Sequence, residues 1–355
     1  PSQARQDLLA GGDRATAEQR MDYLAGDRRQ EGEQFRERGG RLGDIVHSNP
    51  AHVGRPAMGW PDEAPFGSAD DRYSDYLAAQ RDRERTVYVG ANDGMLHAFD
   101  GAPDDSGGGE RFAYIPSFAF DAAESRGFSY YASPEYQHRY SVDLAPAVSD
   151  AHIQTDPEAG TEWHTVLVGG MRTGGRGLFA LDVTDPGVAN SDSPGDLLLW
   201  EFQHPDLGTL NKPVNVVLMP WDDGHEWVAV FGNGYNAPSG RSGVFMLRLE
   251  GGLDGEWTQG SDYRFIETAS SGLPGVTSDV TPVDTDGDRV PDRVYASDRE
   301  GRIWVLNESS GSWSVGSDPL FRTPEGQPVT TGVTVAANRF VTDEDDNAPN
   351  LLVFF

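Results

Sequence analysis

One unit recurs along this chain and limits what it can become: an apolar strand running into a small or glycine-rich turn, then a second strand closing on a polar residue. The first copy reads Val87-Tyr-Val-Gly-Ala-Asn-Asp-Gly-Met-Leu-His-Ala-Phe-Asp100. It returns as Val166-Leu-Val-Gly-Gly with Gly177-Leu-Phe-Ala-Leu-Asp182, and as Val228-Ala-Val-Phe-Gly-Asn-Gly with Gly243-Val-Phe-Met-Leu-Arg-Leu249. Residues 293–307 form a fourth copy, and Leu351-Leu-Val-Phe-Phe355 matches the first strand of a fifth. Asn92-Asp-Gly94 and Arg299-Glu-Gly301 read as hairpin turns, with glycine supplying the positive φ. Self-similarity of this kind marks an array in which each unit buries its faces against its neighbours.

A stretch with a small residue or proline precedes each copy, at 45–50, 141–147, 212–217 and 276–282, and predicts a leading strand. A further short strand follows, as at 112–116 and 198–202. Four strands per repeat, at a spacing of roughly 60–80 residues, describe a propeller blade. The expected fold is therefore all-β: a modified, quinoprotein-like β-propeller over residues 44–355, seven-bladed or incomplete, cut short at its C-terminal end. Residues 1–43 are a polar, partly helical lead-in. There Thr16-Ala-Glu-Gln19 fits a capping box and predicts a helix at 16–25; a second short helix is expected at 73–84. With 43 Gly, 23 Pro and only 37% hydrophobic residues, the composition suits short strands and tight loops and opposes a helical fold.

The net charge of −29 repels nucleic acid and anionic membrane and attracts cations. No cysteine is present, which excludes disulfides, thiolate metal sites and cysteine nucleophiles. No apolar run reaches membrane-spanning length, and the polar opening Pro1-Ser-Gln-Ala-Arg is not a signal peptide, so the chain reads as an internal piece of a longer protein.

The acidic residues concentrate in Asp284-Thr285-Asp286-Gly287-Asp288-Arg289-Val290-Pro291-Asp292, with carboxylates at positions 1, 3, 5 and 9. Ca²⁺ is a hard cation that takes six to eight oxygens at about 2.3–2.6 Å, and alternate carboxylates in a tight loop can turn inward together. Val290, at position 7, has only its carbonyl to offer. Mg²⁺ fits less well, because it demands stricter octahedral geometry and keeps its waters. The loop departs from an EF-hand: Gly287 stands at position 4, Tyr295 at position 12, and strands flank it. The reading is a calcium loop on a β-hairpin; the plainer alternative is an acidic, solvated turn. Asp343-Glu-Asp-Asp-Asn347 reads as an exposed acidic turn and Asp222-Asp-Gly224 as a hairpin turn. His97 reads as a half-buried strand residue, and Trp200, Trp227 and Trp304 as blade packing. No HxxxH spacing, nucleophile elbow or P-loop occurs.

Together, Leu42-Gly-Asp-Ile-Val-His-Ser-Asn-Pro50, the 87–100 hairpin, Val230-Phe-Gly-Asn-Gly-Tyr-Asn236, the 284–292 loop, Tyr295-Ala-Ser-Asp298 and Ile303-Trp304 resemble the C-terminal propeller of PilY-type type IV pilus biogenesis factors, the tip-associated adhesins. Tyr23-Leu-Ala-Gly-Asp-Arg28 and Glu31-Gly-Glu-Gln-Phe-Arg36 match that family's lead-in. The resemblance implies an exported protein of the periplasm, outer membrane, pilus tip or cell surface, whose N-terminal region is often von Willebrand A-like. It implies Ca²⁺ held by Asp284, Asp286, Asp288, the Val290 carbonyl and Asp292, with the calcium-bound form opposing pilus retraction and the calcium-free form permitting it. Minor pilins, and host or abiotic surfaces, are the implied partners, with neither nucleic acid nor membrane insertion. The Arg-Gly-Asp motif of some members is missing here. Two alternatives stand beside this non-enzymatic reading. One is a quinone-dependent dehydrogenase on a similar propeller, which would lack the vicinal cysteines that cover a quinone; the other is a purely structural scaffold stapled by Ca²⁺.

Overall fold

Short β-branched and aromatic runs broken by glycine and acidic turns can satisfy their backbone groups only by pairing with one another. The computed structural model describes residues 14–120, 127–156, 158–269, 275–277, 279–338 and 351–355, and shows that pairing repeated. Four antiparallel sheets follow in chain order. The first holds β1 (Ala51–Val53), β2 (Thr86–Gly90), β3 (Leu96–Asp100) and β4 (Glu110–Tyr114). The second holds β5 (Ala147–Ile153), β6 (Glu162–Gly170), β7 (Leu178–Asp182) and β8 (Leu198–Phe202). The third holds β9 (Asn215–Trp221), β10 (Gly224–Gly232), β11 (Ser242–Arg248) and β12 (Tyr263–Ala269). The fourth holds β13 (Thr281–Val283), β14 (Arg293–Ser297), β15 (Arg302–Ser309) and β16 (Ser312–Val315), with β17 (Phe321–Arg322) also paired to β15. A two-stranded sheet, β18 (Thr334–Ala337) and β19 (Leu351–Phe354), comes last. Strand order within each sheet equals chain order, the connectivity of propeller blades. Leading strands of neighbouring blades touch, β1 against β5 and β5 against β9.

The predicted core hairpins fall where expected, but the leading strands begin later. Residues 45–50 and 141–146 are not strand, and β9 and β13 start at Asn215 and Thr281. Val142, Leu144 and Val276 are buried whereas Ile45 and Val46 are exposed, and the backbone bonds near the buried residues reach the end of the adjoining core strand at single points instead of forming a ladder. Leu144 N donates to Gly170 O at 3.2 Å, and Thr277 N to Ser297 O at 2.9 Å. The approach is so close that a Cβ on Gly232 would stand 1.9 Å from Thr277 O, and one on Gly90 would stand 2.2 Å from Val142 O. Gly90 and Gly232, which close β2 and β10, are thus required by the chain that passes over them.

The lead-in helix α1 (Arg14–Leu24) covers most of the expected span but already runs through Thr16, so Thr16 is not its cap; the shorter α2 (Tyr73–Ala79) starts where expected and ends earlier. No helix among the described residues is long and apolar enough to cross a membrane.

Burial is concentrated between blades. One core joins the second and third sheets through Val166, Trp227, Phe231 and Phe245, and Phe66, Tyr73 and Tyr76 from the long β1–β2 connection plug it. A second core joins the third and fourth sheets through Val230, Met246, Val294 and Trp304. Val290, inside the acidic loop, is buried in the first of these cores, so that loop is anchored by packing.

Candidate metal centre

The 284–292 loop connects β13 to β14, whose register pairs Val283 with Arg293. Two residues in the left-handed region bend it, Gly287 at φ 92° and Arg289 at φ 73°. Asp284 organises the bend. Its Oδ1 accepts from Asp286 N at 3.1 Å and Gly287 N at 2.6 Å, and its Oδ2 accepts from Arg289 N at 2.8 Å. Asp286 accepts from Asp288 N at 3.3 Å, and Asp288 from Val290 N at 2.7 Å. Asp292 Oδ2 accepts from Thr285 N at 3.2 Å and from the Thr285 hydroxyl.

Carboxylate oxygens of Asp284, Asp286 and Asp292 lie within 4.8 Å of one another. Asp288 is not among these three; its Oδ1 caps the Val290 amide instead. Asp292 Oδ1 is buried and has no hydrogen-bond partner, in a place where an oxygen anion is costly to leave unmatched. Hard oxygen donors, mutual repulsion and an orphaned carboxylate oxygen together fit a hard divalent cation.

The electrostatics of the loop divide along the same line. Burial pushes the Asp284 carboxyl up, but the N–H groups of Gly287, Arg289 and Asp286 outweigh it and hold the group below its ordinary range. For Asp286 the Asp288 N–H pulls downward, yet the charges of Asp288 and Asp284, with some desolvation, leave it raised.

Sequence spacing did not disclose the surroundings. A cavity of about 400 Å³ opens beside the loop, lined on its far side by Asp222, Asp223 and His225 of the third blade and by Glu308 of the fourth. The 222–223 doublet does form the two-residue turn between β9 and β10, with Asp222 at φ 48°. It also docks on the β15–β16 turn: Asp222 N donates to Gly311 O at 3.1 Å, and Arg264 bridges Gly311 O and Asp222 Oδ1 at 2.6 and 2.5 Å. The 343–347 stretch lies outside the described residues.

His97 is more buried than expected, held between Glu110 at 2.6 Å and Asp93 at 3.1 Å. Trp200, Trp227 and Trp304 are buried on strands β8, β10 and β15.

The family described as the PilY1 beta-propeller domain matches residues 42–344. The chain is 35% identical over 391 residues to a type IV pilus biogenesis factor PilY1 homolog of Xylella fastidiosa, covering 97% of this chain and 24% of that protein. It is 38% identical over 330 residues to type IV pilus biogenesis factor PilY1 of Pseudomonas aeruginosa, covering 89% of this chain and 25% of that protein. It also resembles the crystal structure of the Pseudomonas aeruginosa PilY1 C-terminal domain, with a TM-score of 0.60 and 32% identity over 81% of this chain and 57% of that one. The chain thus spans about a quarter of the length of these curated relatives.

Proposed function

The chain belongs to the PilY1 β-propeller domain family, and on that premise we propose that it is the calcium-binding propeller module of a type IV pilus assembly and tip-adhesin protein, governing pilus extension and retraction. The observation that carries this reading is the convergence of carboxylate oxygens of Asp284, Asp286 and Asp292, beside a buried Asp292 Oδ1 without a hydrogen-bond partner. Ca²⁺ would supply charge neutralisation and order. Asp284, Asp286, Asp288, Asp292 and the Val290 carbonyl are its ligands in this proposal. The module is non-catalytic and extracytoplasmic, and its partners are pilus components, minor pilins among them, together with surfaces that the pilus tip meets.

Binding would select the loop conformation in which the carboxylates converge, and a partner surface would read that conformation. The anchoring of Val290 in the core between blades favours a second reading, a cation that staples the fold. One allele separates the two. Asp286→Ala should abolish Ca²⁺ binding in calorimetry, and the full-length protein carrying it should alter pilus number and twitching motility. Equal affinity in variant and wild type would overturn the site. Lost binding with unchanged motility would leave only the staple.

A further inference from the structure

We propose that Arg289 is a positioning residue that couples cation binding in the 284–292 loop to the connection between β1 and β2. This rests on the calcium reading above.

Arg289 faces two ways. Its backbone N–H serves Asp284 Oδ2 at 2.8 Å, inside the loop. Its Nη1 donates to Gly59 O at 2.7 Å, across 230 residues of sequence. It holds a left-handed φ of 73°, a conformation that side-chain-bearing residues adopt only when their surroundings enforce it. The Asp284 bond on one side and the Gly59 bond on the other supply that enforcement.

Gly59 sits in a segment bound firmly at its other contacts. Trp60 Nε1 donates to Asp150 O at 2.9 Å, and the indole stacks on Phe66 at 5.4 Å and meets Trp227 edge-on at 5.1 Å. Met58 N donates to the Tyr73 hydroxyl at 3.0 Å, and that hydroxyl donates to Asp150 Oδ2 at 2.6 Å. Met58 itself is 45% exposed, so this segment presents a surface. Val290, next to Arg289, is buried in the same core on which Trp60 packs.

The physical link is Asp284. Without a cation, its carboxylate is repelled by Asp286 and Asp292 within 4.8 Å. That repulsion raises the share of molecules in which the carboxylate turns away, and in that state Arg289 N loses its acceptor. The left-handed turn then loses one of its supports, and the guanidinium loses its aim at Gly59. A bound cation removes the repulsion and favours the state that keeps both bonds. The fourth blade and the connection leaving the first blade thereby share one equilibrium.

Hydrogen exchange read by mass spectrometry, with and without Ca²⁺, tests this in wild type, Arg289→Ala and Arg289→Lys, alongside calorimetry on each. In wild type, Ca²⁺ should slow exchange across residues 55–62 by about fivefold or more. Arg289→Ala should still bind Ca²⁺, because the backbone N–H serves Asp284, but should lose the slowing at 55–62; Arg289→Lys should restore part of it. Slowing that survives in Arg289→Ala, or wild type that binds Ca²⁺ with no change at 55–62, overturns the coupling. Wild type that binds no Ca²⁺ overturns the calcium reading itself, which calorimetry registers separately.

Discussion

Asp284 and Asp286 stand two residues apart and do opposite work. Asp284 accepts three backbone N–H groups and is held below its ordinary range despite burial. Asp286 is exposed and raised by its neighbours' charges. Removing Asp284 therefore costs the apo fold, whereas removing Asp286 relieves repulsion. Asp284→Ala should lower stability in chelator by about 1–2 kcal/mol, the worth of the hydrogen bonds it receives. Asp286→Ala should leave it unchanged or slightly higher. Denaturant titrations in chelator check both, and a destabilised Asp286→Ala would show that its carboxylate supports the loop without a cation. Alternate acidic spacing made this loop legible in sequence. The turning of Asp288 toward the Val290 amide was not legible, because it depends on Val290 being drawn into the core.

At the scale of elements, the blades carry buried charge across strands. His164 on β6 pairs through Nδ1 with Asp182 on β7 at 2.7 Å, and both side chains are largely buried. Burial lowers His164, but the Asp182 bond and charge, aided by Glu162, leave it above its ordinary 6.5. Burial raises Asp182, but His164 and Thr184 leave it below its ordinary 3.8. A raised histidine contributes fully below 6.5 and loses that contribution as pH rises through its folded value. A lowered aspartate contributes fully above 3.8 and loses it as pH falls through its folded value. The pair therefore stabilises most between these two values. His164→Gln should depress the melting temperature most in that window and least in alkaline buffer. A depression independent of pH would assign His164 a packing role alone. The lead-ins teach a related lesson about elements. Their apolar residues and prolines resemble strand in sequence, and Val142, Leu144 and Val276 are buried like strand residues, but the bonds of Leu144 and Thr277 reach only the last residue of their own blade's next strand, Gly170 and Ser297.

At the scale of the molecule, stability rests on the seams between blades and on the connection that seals one of them. Trp227 is buried where the second and third sheets meet the β1–β2 connection, in edge contact with Trp60, Phe66 and Trp163. Trp227→Ala leaves a cavity among three rings and should cost about 3–5 kcal/mol. Chemical denaturation measures it, and a cost near that of a surface substitution would mean that the seam can collapse. The same seam holds Val290, which is how a loop in the fourth blade comes to lie against a segment that left the first.

The repeated strand–turn–strand units, the paucity of apolar residues and the spacing of four aspartates were present in the sequence, and from them follow the blades, their order and the loop that gathers charge. These are local matters: hairpin register, turn glycines and carboxylate spacing act over a few residues. Which three carboxylates converge was decided only in three dimensions. So were the acidic doublet that faces them from the next blade and the reach of Arg289 to Gly59. Each depends on contacts between residues far apart in the chain, where no local pattern records the partner.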